Sequence, residues 1–358
     1  MKNTIERRKS RAVFAGGVGI GGDFPITLQS MTNTDPKDKA ATLSQVKRLE
    51  EVGCDIVRLA VPDIESAEIF SYLKENGVKI PLVADVHFNY KIALAAIEAG
   101  VDKVRINPGN IGSREGVCAV AKAAGERKIP IRIGVNSGSV EKSILEKYGS
   151  PTAEALAESA LYHTALLEEA DFHDIVISVK ASDSLTMINA NRILAEKTRY
   201  PLHLGVTEAG AGNSAIIKSA IGIGSLLSFG IGDTVRVSLT DKPEEEIYAA
   251  REILSSLGLS ENAGMDIVSC PTCGRTKIDL IKLATEFKEA ARREGIDKKN
   301  IKVALMGCAV NGPGEAREAD IGIAGGIGEG LLFKNGEIIR KIKENELIEA
   351  LIREIKLM

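Results

Sequence analysis

Three thiols and one carboxylate are the residues whose types and spacing most directly promise chemistry. They lie in Ser269-Cys-Pro-Thr-Cys-Gly274 and in Met306-Gly-Cys-Ala-Val-Asn-Gly-Pro-Gly-Glu315. Each segment follows a short apolar run, Met265-Asp-Ile-Val268 or Ile301-Lys-Val-Ala-Leu305. Cys270, Cys273, Cys308 and Glu315 are therefore expected at the ends of neighbouring strands of one small domain. Together they read as a four-ligand metal site. Sulfur-rich tetrahedral sites suit zinc or an iron–sulfur cluster, and the carboxylate is the poorest match to a soft metal, hence an exchangeable ligand. An exchangeable ligand points to catalysis rather than to a structural staple. Cys54, in a helix-to-strand turn, and Cys118, in a helix, are expected to be buried structural thiols.

Arginine placement marks a second site. Arg58, Arg105, Arg132 and Arg236 stand within or near the end of apolar runs, where a charge is costly unless it is paired. Strand alternation puts Arg58 with Ala60, Arg132 with Gly134 and Asn136, and Arg236 with Ser238, on the small or polar face of each run. Lys180 adds a further fixed cation, while the carboxylates at run ends are Asp85 and Glu208. Internal arginine–carboxylate pairs are one reading. The excess of cations favours the other, a bound anion. Guanidinium forks match phosphate oxygens bidentately, so a small phosphorylated substrate, in particular a diphosphate, is expected. His87, Asn107 and Asn136 fill out the same run ends, and Glu208, followed by Ala209 and Gly210, is the acid–base candidate. His163 and His173 are expected to be structural, and His203, inside a run, stays ambiguous.

Eight short β-rich runs would carry these groups: Pro25 to Met31, Asp55 to Val61, Pro81 to Val86, Lys103 to Pro108, Pro130 to Asn136, Asp174 to Lys180, Pro201 to Thr207 and Thr234 to Thr240. Amphipathic stretches such as Lys39 to Val52, Lys91 to Ala99 and Ala153 to Glu169 separate them, and the longest gap has room for two helices. Eight strands alternating with helices predict a (β/α)8 barrel with its working groups at the carboxyl ends. We expect the barrel over residues 1–257, a Gly-bearing linker at 258–264 and an α+β domain at 265–358. That domain reads strand, helix (Asp279 to Glu294), strand, Gly-rich run (Ala324 to Gly330), hairpin (Leu331 to Arg340) and helix (Glu344 to Leu357). Gly17-Val-Gly-Ile-Gly-Gly22 has the form of a dinucleotide loop, but it follows no full strand and opens no helix. It is expected to be a hairpin under the barrel.

Composition narrows the rest. With 358 residues, 44% of them hydrophobic and 27% charged, the chain is globular and long enough for a barrel plus a smaller unit. A net charge of -3 leaves no nucleic-acid footprint, and no apolar stretch approaches the length of a membrane span. The basic amino terminus has no apolar segment behind it, and five cysteines form no disulfide framework, so a cytoplasmic protein is expected.

Longer motifs carry a resemblance. Val57-Arg-Leu-Ala-Val-Pro62, Arg105-Ile-Asn-Pro-Gly-Asn-Ile-Gly112, Arg132-Ile-Gly-Val-Asn-Ser-Gly-Ser139, Thr207-Glu-Ala-Gly210, Gly230-Ile-Gly-Asp-Thr-Val-Arg-Val-Ser-Leu-Thr240 and the two cysteine segments resemble the 4-hydroxy-3-methylbut-2-enyl diphosphate synthases of the non-mevalonate isoprenoid pathway. The resemblance spans the chain and matches the short bacterial form. It implies a barrel similar to dihydropteroate synthase, followed by a domain similar to one of sulfite reductase. It also implies a [4Fe-4S] cluster held by Cys270, Cys273, Cys308 and Glu315. By the same resemblance Arg58, Arg105, Arg132, Lys180, Arg236 and Ser238 hold a diphosphate, and His87, Asn136 and Glu208 match active-site positions. The implied reaction is two-electron reductive ring opening and dehydration of 2-C-methyl-D-erythritol 2,4-cyclodiphosphate, with ferredoxin or flavodoxin as donor. A head-to-tail homodimer, each cluster domain capping the partner's barrel, is implied as well. The rival reading is a non-redox barrel aldolase or transferase on a phosphorylated substrate, with structural zinc in the cysteine domain.

Overall fold

The computed structural model describes residues 5–107, 111, 114–260, 264–308 and 318–358. The chain divides into two compact units, Met1–Leu259 and Ser260–Met358, each considered by itself.

The first unit opens with a hairpin, β1 (Val13–Ala15) and β2 (Val18–Ile20), turning at Gly16, whose φ of 55° suits a residue without a Cβ. Eight parallel strands follow: β3 (Thr27–Met31), β4 (Ile56–Ala60), β5 (Leu82–Asp85), β6 (Lys103–Ile106), β7 (Ile131–Asn136), β8 (Ile175–Lys180), β9 (His203–Leu204) and β10 (Thr234–Val235). Their order is β8-β7-β6-β5-β4-β3-β10-β9, and a parallel bridge between Ile177 and Leu202 joins the two ends, so the sheet closes into a (β/α)8 barrel. The helices α1 (Lys39–Glu51), α2 (Ile69–Glu75), α3 (Tyr90–Glu98), α4 (Arg114–Glu126), α5 (Lys142–Tyr148), α6 (Ala153–Glu168), α7 (Ser184–Lys197), α8 (Gly212–Ser228) and α9 (Pro243–Ser256) connect the strands. The long gap after β7 does hold two helices.

Alternation decides what each strand face does. Val57, Leu59, Val104, Ile106, Ile131 and Ile133 belong to the main core with the helices, which leaves Arg58, Lys103, Arg105 and Arg132 to point into the barrel. At the amino ends, Ile56, Val83 and Val176 cluster with Val13, Ala15 and Ile20 of the hairpin as an apolar plug.

Two details correct the sequence reading of this unit. Strands β9 and β10 are two residues long, not seven. At Gly205 a Cβ would meet the Arg236 carbonyl oxygen at 2.6 Å and Lys180 Nζ at 2.9 Å, so the chain passes too close for a regular side-chain-bearing strand. Backbone pairing nevertheless continues, with Arg236 N donating to Leu204 O at 3.0 Å. Cys54 is buried as expected, but Cys118 is exposed on α4.

In the second unit β11 (Asp266–Ser269), β12 (Lys302–Met306) and β13 (Ile321–Gly325) run parallel, and β14 (Glu329–Lys334) and β15 (Glu337–Lys343) continue the sheet antiparallel. Helices α10 (Leu280–Arg293) and α11 (Leu347–Lys356) bury Leu283, Phe287, Leu351 and Ile355 with Val303, Leu305, Ile321 and Ile323. The sequence reading missed β13. Its two glycines disguise a strand, and Gly322 lies where a Cβ would meet the Phe333 ring at 2.4 Å. The Gly-rich run is the turn into β14, closed by Gly326 N donating to Glu329 O at 2.7 Å. Among the described residues no helix is long and apolar enough to cross a membrane.

Candidate active site

Six strands deliver side chains to one small cavity at the carboxyl end of the barrel. Arg58 comes from β4, Asp85 and His87 from the end of β5, Arg105 from β6, and Arg132 and Asn136 from β7. Lys180 comes from β8, and Arg236 and Ser238 follow β10. Gly134 makes the crowding feasible, because a Cβ there would meet Arg105 Nε at 2.3 Å.

Asp85 is the hub of one side. It accepts from Arg105 Nη1 at 3.0 Å, lies 3.8 Å from Arg58 Nε and sits 3.3 Å from His87 Nε2. His87 Nε2 is also 2.9 Å from Arg105 Nη1. Burial alone would raise the Asp85 carboxyl, but Arg58, the His87 hydrogen bond and Arg105 outweigh it and hold Asp85 far below the usual carboxylate range. On the other side Arg236 forms a fork with Glu246, Nε and Nη2 donating at 3.1 and 2.9 Å. Ser30 Oγ also donates to Glu246, at 2.8 Å.

Glu246 is the residue that sequence reasoning missed. Its signal was faint: one glutamate among three consecutive at the start of α9, distinguished only by being buried. The reading that Asp85 and Glu208 are the available carboxylates is therefore corrected, since Arg236 and Arg105 each have an internal acid partner.

The cationic excess persists after these pairings. Lys180 has no hydrogen-bond partner among the described residues, and Arg132 reaches only Gln29 Oε1, at 3.4 Å. Burial first, then Arg236, Arg58 and Arg132, pulls the Lys180 ammonium well below its ordinary value. Arg58 is drawn down to about 10, by burial first and by Arg236 and Arg105, with Asp85 opposing. Five buried or half-buried cations against two carboxylates form a site whose unmet need is an anion with more than one charge.

Glu208 is not in the cavity lining. It is exposed on the loop after β9, with φ at 53°, a left-handed conformation that non-glycine residues adopt at a cost. Asn107 is buried at the end of β6. His163 is buried against Glu141, and His173 lies 3.5 Å from Asp171, so neither approaches the cavity. His203 is fully buried inside the barrel.

In the second unit Cys270 directly follows β11, and Cys308 follows β12 after one glycine. The register pairs Ser269 with Leu305, so both thiols stand at the same end of adjacent parallel strands. Gly307 N donates to Cys270 Sγ at 3.2 Å. Cys273 is exposed, and hydrogen bonds from Arg275 push its thiol down, toward the thiolate. Glu315 lies outside the described residues. Among the described residues no three candidate ligands converge into a metal-holding group. The donor set nonetheless fits a sulfur-ligated cluster: three free thiols, one already accepting an N–H bond as cluster-ligating sulfurs do.

Fold and mouth together define a barrel enzyme for a small polyanion. Family models for the GcpE TIM-barrel domain and the GcpE protein C-terminal domain match residues 10–251 and 266–357. The chain belongs to the GcpE family, and its relatives carry the name 4-hydroxy-3-methylbut-2-en-1-yl diphosphate synthase (flavodoxin). The Clostridium perfringens relative is 60% identical over 98% of this chain and 99% of its own length. Those of Clostridium acetobutylicum and Geobacillus thermodenitrificans are 58% and 57% identical over 98% and 99% of this chain, and 99% and 94% of their own. The aldolase or transferase reading finds no support in these names. Solved structures show the fold alone. A type I 3-dehydroquinate dehydratase from Clostridium difficile covers 70% of this chain and 98% of its own, at TM-score 0.51 and 15% identity. A dihydropteroate synthase from Thermus thermophilus covers 70% and 97%, at 0.50 and 14%.

Proposed function

We propose that this chain catalyses the reaction its family's name describes, forming 4-hydroxy-3-methylbut-2-en-1-yl diphosphate by reductive ring opening and dehydration of 2-C-methyl-D-erythritol 2,4-cyclodiphosphate. The observation that carries the reading is the unneutralised cation set around the mouth, which matches a cyclic diphosphate in sign. Arg58, Arg105, Arg132, Lys180, Arg236 and Ser238 hold the diphosphate. Their charges are fixed on strands before substrate arrives, so little reorganisation is needed as the leaving phosphate oxygen gains charge. His87, held by Asp85 and Arg105, and Asn136, at the end of β7, orient the ring from the rim. Glu208, exposed and conformationally strained, handles the proton as hydroxyl departs as water.

Cys270, Cys273, Cys308 and Glu315 hold a [4Fe-4S] cluster, which when bound supplies the two electrons singly. Those electrons come from flavodoxin, the donor named for the relatives, or from a ferredoxin. The working form is a cytoplasmic head-to-tail homodimer in which each residue 265–358 domain serves the partner's barrel over residues 1–257. Purification under anaerobic conditions tests the reading: a brown protein with iron and sulfide, active with reduced flavodoxin, is expected. A colourless zinc protein that stays inactive after iron–sulfur reconstitution overturns it.

A further inference from the structure

One inward position below the mouth, Ile56 and Val83 are apolar on β4 and β5, but other strands carry polar groups. This level of a (β/α)8 barrel is ordinarily packed with branched aliphatic side chains. Here Gln29 lies two residues before Met31, Lys103 two before Arg105 and Thr234 two before Arg236, with Thr27 and His203 in register beside Thr234. Gln29, Lys103 and His203 are completely buried and line no part of the mouth cavity.

Five atoms here have no hydrogen-bond partner among the described residues: Thr27 Oγ1, Gln29 Nε2, Lys103 Nζ, Arg132 Nε and His203 Nε2. His203 Nδ1 is 3.4 Å from Thr234 Oγ1, which occupies its other nitrogen. The lysine, arginine and glutamine nitrogens only donate. Those three donors exceed the two lone pairs of a water, even where Thr27 Oγ1 or the imidazole takes its hydrogens, whereas an anion accepts from every donor and gives none. The surrounding charge has the matching sign. Arg132, Lys180, Lys103 and Arg58 are the charges felt at His203, while Asp85 and Glu246 are engaged with Arg105 and Arg236.

We propose that this layer is a second anion site, holding a halide-sized monovalent inorganic anion such as chloride between Lys103, Arg132 and His203, beneath the substrate mouth. Burial first, then Arg132 and Arg58, pulls the Lys103 ammonium well below its ordinary value, and a contacting anion offsets both effects. Arg132 belongs to both levels, so the buried anion also braces a guanidinium that lines the mouth. The site is independent of which phosphate ester the mouth accepts.

Crystals of the full chain grown in bromide, measured at the bromine edge, test the proposal. One anomalous peak between Lys103 Nζ and His203 Nε2 is expected, unchanged when inorganic pyrophosphate fills the mouth. In solution, with inorganic pyrophosphate filling the mouth, the melting temperature should be higher in chloride than in gluconate at equal ionic strength, by about 3 °C or more. Lys103→Met should erase that difference. Density at this position that scatters as water overturns the proposal, as does bromide confined to the mouth, or a wild-type melting temperature that ignores chloride.

Discussion

In the function proposed above, the barrel mouth and the cysteine loops solve the same problem, holding a charged group, in opposite ways. At the mouth every binding side chain stands on or just beyond a strand, and the ladder fixes its position whether or not a ligand is present. The consequence is a set of buried like charges, with Lys180 and Arg132 held in the folded state without an ion-paired acid among the described residues. In the second unit β11 and β12 align Cys270 and Cys308, but Cys273 is out on an exposed loop and no ligand group has converged among the described residues. The anion site is preorganised at the expense of stability. The proposed metal site would be completed by what it binds, as sites on loops commonly are.

Cys308→Ser should break the comparison most visibly. We expect loss of iron and sulfide and a fall in turnover of at least roughly 100-fold, with pyrophosphate affinity of the mouth within about twofold of wild type. Calorimetric titration beside iron analysis checks this, and a parallel loss of anion binding would mean that the two sites are not separable. Lys180→Met should do the reverse: substrate affinity falls roughly 10- to 100-fold through loss of a charge-assisted contact, while metal content is unchanged. Because an unpaired buried cation is removed, its urea midpoint should stay level or rise, and a lower midpoint would assign Lys180 a structural role instead.

The smallest effect is in acid. Asp85 has a folded pKa below its unfolded value of about 3.9, so its stabilisation is present above that pH and is lost as pH falls below it. Unfolding of the barrel below about pH 4 should therefore steepen in the wild type and flatten in Asp85→Asn. Coincident acid profiles for the two proteins would remove Asp85 from the account.

Much of the barrel was legible because period-two alternation and the Pro- or Asp-led runs are local signals. Arg58, Arg105 and Arg132 announced their inward direction by standing opposite Val, Leu and Ile. The failures have equally specific causes. Strands β9 and β10 were overdrawn because Gly205 and the close pass of Lys180 act across strands, not along one. Strand β13 was hidden by Gly322, whose missing side chain only makes sense once Phe333 lies over it. Cys118 has no sequence feature that reports which face of α4 it takes.

By itself the chain determined the alternation of elements, the inward set of cations, the thiol pattern and the family. Those depend on residue type and spacing within a few positions. Tertiary structure alone decided which acid answers which base: Glu246 reaches Arg236 and Ser30, and the Ser30 contact joins residues 216 apart in sequence. It also decided that Glu208 stands outside the cavity lining, in a strained loop, and that Lys103 and His203 are both fully buried. Pairing and burial depend on closing the ring, which brings β3 beside β10 and residues far apart in sequence into one small volume.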